Sequence, residues 1–239
     1  MKAPTQLLYK SEIPINDSIS VRIPTLGEIL DKQDDYYTLI NILTAMPIDM
    51  MVELDDLGID FTTINEYDLF LMFFKSLEAF DVSLVLKGVD VSKFELAFNE
   101  DIQMFVMIDR ENDIVIDRSI HHDIAACIRK INQMKKDIRK PGNEEAKKYL
   151  IERARIKANR RKNKPQDSYL EQLIVSMVNT EQFKYNLETV RGLTIFQFNE
   201  CVRQIVKKTD YDNRMIGVYA GTIDASKLSQ DELNWLTHK

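Results

Sequence analysis

The stretch FELAFNEDIQMFVMIDRENDIVI, residues 94–116, decides the fold class. Apolar side chains alternate at Phe94, Leu96 and Phe98, and a continuous apolar run follows at 104–108. This period of two is typical of strands, and the charged segment 109–113 separates it from a further apolar run at 114–116. We therefore predict a small antiparallel sheet with a hairpin at 109–113, in a chain whose other patterns are mostly helical. The expected class is α+β.

On the N-terminal side of this sheet, the pattern predicts short strands followed by helices. Residues 6–9 and 18–23 have extended, alternating character. Thr25-Leu-Gly-Glu28 is a capping box and marks a helix start. Asn65 is expected to cap a later helix with Phe70 and its apolar neighbours on one face.

On the C-terminal side, the pattern is helical throughout. Ser119 is expected to cap a helix that ends before Pro141-Gly142, and a lysine- and arginine-rich helix should run from Glu144 to about Lys162. The last 75 residues then show helical spacing, with capping boxes at Thr194 and Ser229. We predict an N-terminal domain of helices with a small antiparallel sheet, a basic connector helix and a small all-helical C-terminal domain.

Charge divides the chain into nearly the same three parts. Residues 1–125 contain 9 Lys and Arg against 24 Asp and Glu, a net charge of −15. Residues 126–164 contain 15 against 4, a net of +11, and residues 165–239 contain 8 against 10, a net of −2. The predicted divisions are an acidic α+β domain at 1–125, a basic connector at 126–165 and a helical domain at 166–239. A strongly dipolar chain of this kind favours an electrostatic binding surface or an internal clamp.

Motifs that would carry chemistry do not form. The glycines are too far apart for a phosphate-binding loop, and the two cysteines form no CxxC. His121 and His122 are adjacent, so they point apart on a helix, and we expect both to face solvent in its first turn. Asp109, Glu111 and Asp113 lack the glycine of a calcium loop. We expect no catalytic residue, metal or cofactor, and a metal-dependent hydrolase is the least favoured hypothesis.

The basic helix has two interpretations. It could be a solvated helix that contacts the acidic N-terminal domain or an acidic partner copy, or it could bind nucleic acid through its cations. Only Tyr149 is available for base stacking, which favours protein contact. The candidate binding residues are Lys148, Arg153, Arg155, Lys157, Arg160, Arg161 and Lys162.

Several stretches at the two ends of the chain carry a resemblance to a known group. They are Val21–Glu28, Tyr36-Tyr37, Leu43–Asp49, Leu193–Phe198, Tyr219–Asp224 and Leu233–Trp235, with the basic helix before the last three. Together they resemble uncharacterised proteins of tailed phages and prophages of Gram-positive bacteria. Those proteins are similar to tail-assembly chaperones and to tail or baseplate morphogenesis factors.

The resemblance implies a non-enzymatic protein that binds tape-measure, tube or baseplate components in the cytoplasm of the host bacterium or in the virion. The longest strongly apolar stretch, around Leu69–Phe74, is far shorter than a bilayer span, so we expect no membrane, and self-association is an open possibility. The alternative function is a phage nucleic-acid-binding accessory protein that acts through residues 144–164. Tyr219 and Trp235 are candidate partner contacts because aromatic residues often anchor interfaces, the alternative being that both fill the C-terminal core.

Overall fold

The computed structural model describes residues 7–162 and 168–236, with the backbone alone for Arg161 and Lys162. Among these residues the α-helices are α1 (Leu26–Asp31), α2 (Gln33–Thr44), α3 (Met51–Asp56), α4 (Glu66–Phe73), α5 (Arg118–Ile131), α6 (Glu144–Lys162), α7 (Tyr169–Val178) and α8 (Ile195–Tyr219). The strands are β1 (Glu12–Pro14), β2 (Ser20–Arg22), β3 (Leu86–Lys87), β4 (Glu95–Asn99), β5 (Met104–Asp109) and β6 (Ile114–Ile116). This mixture confirms the predicted α+β class.

The first sheet pairs β1, β2 and β3 in that order, all antiparallel. Only β2 was expected from the sequence, because β1 and β3 are too short to show a period. The strand predicted at residues 6–9 is wrong over Leu7–Tyr9, which form a 3₁₀ turn, and Gln6 lies outside the described residues. Gly88 follows β3 and has a φ of +83°, a conformation that favours glycine. A Cβ at this position would lie 1.9 Å from the Ser18 carbonyl oxygen, so the close approach of the two backbone segments requires glycine.

The second sheet is the one predicted from residues 94–116. Strands β4, β5 and β6 pair in order, antiparallel, and the hairpin at 109–113 is confirmed. Asp109 is buried, and its carboxylate accepts hydrogen bonds from the backbone N–H groups of Glu111 (3.0 Å) and Asn112 (3.1 Å). Its oxygens therefore close the turn as in other Asx turns.

Three of the five predicted helix caps are correct. Thr25, Asn65 and Thr194 each close a capping box at the start of α1, α4 and α8. The cap predicted at Ser119 is wrong, because Asp117 accepts from the Ile120 N–H (2.8 Å) and starts α5 two residues earlier. At Ser229 the N–H and the hydroxyl donate to the Glu232 carboxylate, but the Glu232 N–H donates to the Ser229 carbonyl (3.0 Å). The predicted box is therefore not closed, and the described residues that follow make turns and no helix.

The main hydrophobic core joins residues from both ends of the chain. It includes Tyr36, Phe74 and Phe94 together with Ile174 and Phe198. The starts of α1 and α8 are also paired, since the Leu26 N–H donates to the Leu193 carbonyl (2.8 Å) and the Ile195 N–H donates to the Pro24 carbonyl (2.9 Å). The three-domain division stays a prediction. The shared core includes residues from both the first and the third predicted domains.

Candidate functional site

Helix α6 is held against α3 by a small apolar contact. The Asn143 side chain accepts from the Ala146 N–H (2.8 Å) and caps the helix start. Ile151 then packs against a second buried cluster that includes Leu54 of α3 and Phe61. The Ile151 side of α6 is therefore used inside the chain, on the acidic N-terminal part.

Ion pairs reinforce this contact and neutralise part of the cationic helix. The Arg155 guanidinium pairs with Asp55 (2.6 Å) and Asp56 (2.5 Å). Lys147, which sequence reasoning missed, pairs with Asp60 (2.8 Å), and its hydrogen bond lowers the pKa of that carboxyl to about 2. These pairs are partly solvated, so they contribute to orientation more than to stability. Arg155 is thus a clamp residue within the chain.

The remaining described cations of α6 face outward. Lys148, Arg153, Lys157 and Arg160 are exposed, and none has an ion-pair partner among the residues described. The side chains of the candidates Arg161 and Lys162 lie outside the described residues.

One line of side chains on α6 alternates apolar groups and cations. It contains Tyr149 (61% exposed), Arg153, Ile156 (47% exposed) and Arg160, and we call it the outer stripe. The spacing i, i+4, i+7, i+11 places all four on one helix face. This face carries two apolar contacts and two cations that the chain does not use.

The β4–β5 hairpin presents an apolar surface that sequence reasoning missed. The hairpin patch, as we call it, consists of side chains that are 45–54% exposed, namely Leu96, Phe98, Ile102 and Phe105. Phe98 and Phe105 are cross-strand partners with ring centroids 5.3 Å apart, and β4 is an edge strand. Alternation in a strand predicts which residues share a face but does not reveal whether anything covers that face.

The two aromatic candidates of the C-terminal part are placed differently. Tyr219 is 84% exposed in the last turn of α8, beside the exposed Ile216 one turn earlier. Trp235 is partly exposed, and the Lys208 ammonium lies 5.4 Å from its ring centroid. The alternative that both aromatic residues fill the C-terminal core is therefore wrong for Tyr219.

A cleft of about 360 Å³ lies between the starts of α4 and α5 and the segment 136–140. His121 lies at this cleft, and the expectation that it faces solvent is wrong. Its ring is buried and stacks on Phe70 with centroids 4.2 Å apart, whereas His122 is exposed as expected. The spacing of His121, Ile124 and Ile128 along one face was the signal that could have placed it inside.

Because His121 is buried, we expect acid to weaken the fold. Desolvation lowers its pKa from 6.5 to about 4. Between these two pH values His121 is protonated in the unfolded chain and neutral in the folded chain. The free energy of unfolding therefore falls as the pH drops from about 6.5 toward 4. Between pH 7 and pH 5 this histidine should remove about 2 kcal/mol of unfolding free energy, measured by urea denaturation. In His121→Phe this part of the pH dependence should vanish, and an unchanged slope would contradict the assignment.

Beside the cleft lies a charged cluster in which the Glu66 and Arg129 side chains are largely buried and Lys136 is exposed. Glu66, at the first position of α4, pairs with Arg129 of α5 and with Lys136. Arg129 is itself buried and also donates to the Thr44 carbonyl at the end of α2 (2.6 Å). The cluster therefore connects three helices, and neither Glu66 nor Arg129 was singled out from the sequence.

Metal binding, thiol reactivity and membrane insertion can each be compared with the described residues. Over the described ranges, no three His, Cys, Asp or Glu side chains converge as a metal ion would require. Burial raises the pKa of both the Cys127 and the Cys201 thiols, the opposite of what a reactive thiolate needs. Nor does any helix within 7–162 and 168–236 combine the length and the hydropathy of a bilayer span.

Comparison with known proteins gives one match. Residues 161–239 match the family model described as the YomV second domain. No curated protein and no solved structure matches the chain. The matched range contains α7, α8, Tyr219 and Trp235, and it agrees with the resemblance noted for the end of the sequence. Over its last third the chain is thus similar to the YomV second domain, a similarity that associates it with phage and prophage proteins.

Proposed function

We propose that this chain is a non-enzymatic phage tail assembly or morphogenesis protein that binds other virion proteins. The observation that carries the proposal is the exposed apolar surface at the end of α8, where Ile216 and the 84% exposed Tyr219 lie one turn apart. Both residues belong to the range that is similar to the YomV second domain. Exposed aromatic anchors of this kind are typical of protein interfaces.

The charge arrangement also supports contact with proteins. Arg155 and Lys147 are occupied by acids of the same chain, so α6 has less free positive charge than its sequence suggests. Trp235 lies against Lys208, eleven residues before Tyr219 on α8, and is a separate aromatic contact of the C-terminal part. The proposed roles are a C-terminal surface for a tape-measure, tube or baseplate protein, and α6 as a contact strip.

Pairwise binding tests this proposal. The purified full-length chain is tested against each product of the phage's tail genes, and we expect at least one to bind. Tyr219→Ala should weaken that binding roughly tenfold or more, since a central aromatic anchor is worth about 2 kcal/mol. Tyr169→Ala is the matched control, because Tyr169 is also exposed (74%) on a C-terminal helix. If no tail protein binds, or if both variants behave alike, the proposal is wrong.

A second candidate is a phage nucleic-acid-binding accessory protein, which the unpaired cations Lys148, Arg153, Lys157 and Arg160 favour. Four phosphate contacts would give an affinity that falls steeply with salt. DNA or RNA binding that disappears in Arg153→Glu with Arg160→Glu, while Tyr219→Ala leaves it unchanged, would favour this candidate over the first.

A further inference from the structure

We propose that the chain binds a second copy of itself, with the hairpin patch of one copy on the outer stripe of α6 of the next. This inference concerns the purified chain alone and holds whichever virion protein the C-terminal surface meets. Both surfaces are exposed in one chain, so they do not satisfy each other within a single copy.

The hairpin patch is a rigid surface. Phe98 pairs with Phe105 across the strands and Leu96 pairs with Met107, so these side chains share one face of the sheet. Met107 is buried, and this face therefore runs from the core out into solvent. The Tyr67 hydroxyl of α4 lies within hydrogen-bond distance of the carbonyls of Ile116 (2.9 Å) and Phe105 (3.1 Å), which fixes the sheet to α4. A partner would meet a surface that is already ordered.

Two acidic residues lie next to the hairpin patch, in the turn of the hairpin. Glu100 and Asp101 are exposed in the turn between β4 and β5, next to Ile102, and no ion pair within the described chain occupies their carboxylates. Glu95, by contrast, is paired with Arg110 (2.5 Å). An apolar surface with two free acids at one end repels nucleic acid and suits an apolar helix face that carries cations.

The outer stripe has the complementary composition. It offers Tyr149 and Ile156 for apolar contact, with Arg153 and Arg160 at the intervening positions. The opposite face of α6 is occupied by α3 of the same chain, where Ile151 packs beside Leu54, so the stripe is the side open to another molecule. Because the charges of the two surfaces are complementary, we infer that the hairpin patch binds the outer stripe of a second copy. The contact is head-to-tail, so successive copies can close into a ring or extend into a filament.

Charge exchange tests this contact. Sedimentation measured at low salt should show concentration-dependent self-association of the full-length chain that weakens as salt is added. Two variants each place like charges across the contact: Glu100→Lys with Asp101→Lys at the tip, and Arg153→Glu with Arg160→Glu on the stripe. Each should weaken self-association roughly tenfold or more. All four positions lie on exposed turn or helix surface, so the fold should survive.

Restoring complementarity should restore binding. The chain that carries all four substitutions should self-associate again, and an equimolar mixture of the two separate variants should do so as well. Lys130→Glu with Lys135→Glu is the matched control: it changes the net charge equally at exposed positions away from the stripe. If the wild type is monomeric at low salt, the proposal is wrong. It is also wrong if the chain with all four substitutions does not self-associate. If the stripe variant associates like the wild type, the contact is not with α6 and the proposal is equally wrong.

Discussion

Glu66→Ala is expected to lower the free energy of unfolding by about 3–5 kcal/mol, the range seen when one partner of a buried ion pair is removed. Arg129 is only 8% exposed, and Glu66 is its counter-charge. A guanidinium cannot lose its proton to escape burial, so the variant must hold this charge without the carboxylate that pairs with it. The Thr44 carbonyl remains as an acceptor but supplies no charge. Urea unfolding followed by circular dichroism measures the loss.

Two further variants show whether burial is the cause. Arg203→Ala removes an Arg–Glu pair of the same type from the surface of α8, where the arginine side chain is 44% exposed, and should cost less than about 1 kcal/mol. Glu66→Leu combined with Arg129→Met removes both charges and should recover most of the loss. If Glu66→Ala costs no more than the surface variant, the cluster does not hold α2, α4 and α5 together as inferred.

The features predicted correctly from the sequence are those that depend on neighbouring residues. Thr25, Asn65 and Thr194 cap helices because the groups that close each box lie three residues apart. Ser119 was the wrong cap because Asp117, two residues earlier, offers a stronger acceptor to the same turn. Ser229 shows the converse, since its hydroxyl donates to the Glu232 carboxylate, the Glu232 N–H donates to the Ser229 carbonyl, and the described residues that follow form no helix.

Contacts between distant parts of the chain could not be predicted. The basic helix was located from its composition, but the acids that neutralise Arg155 belong to α3, 100 residues earlier in the case of Asp55. The buried pair of Glu66 and Arg129 spans 63 residues, and each residue alone looks like an ordinary surface charge. Likewise alternation placed Leu96 and Phe98 on one face, while the pairing of Phe98 with Phe105 and the exposure of both depend on the register and on what the rest of the chain leaves uncovered.

Phe198→Ala should lower the free energy of unfolding by roughly 3–5 kcal/mol, as large-to-small changes of buried aromatic residues do. Phe198 lies in the first turn of α8, fully buried, with its ring 6.0 Å from that of Phe183. It belongs to the same core as Tyr36 and Phe94. Because the paired starts of α1 and α8 hold both ends of the chain at this core, the cavity should weaken the whole fold.

Whether the unfolding transition has one step or two shows whether the chain unfolds as one unit. Fluorescence of Trp235, the only tryptophan, reports on the C-terminal part, and far-ultraviolet circular dichroism reports on all the helices. If the shared core makes one cooperative unit, both signals should shift together in Phe198→Ala. Val206→Ala, an exposed change on the same helix, should stay within about 0.5 kcal/mol of the wild type. Separate transitions would instead mean that residues 166–239 unfold on their own, as the three-domain division from the charge pattern predicts.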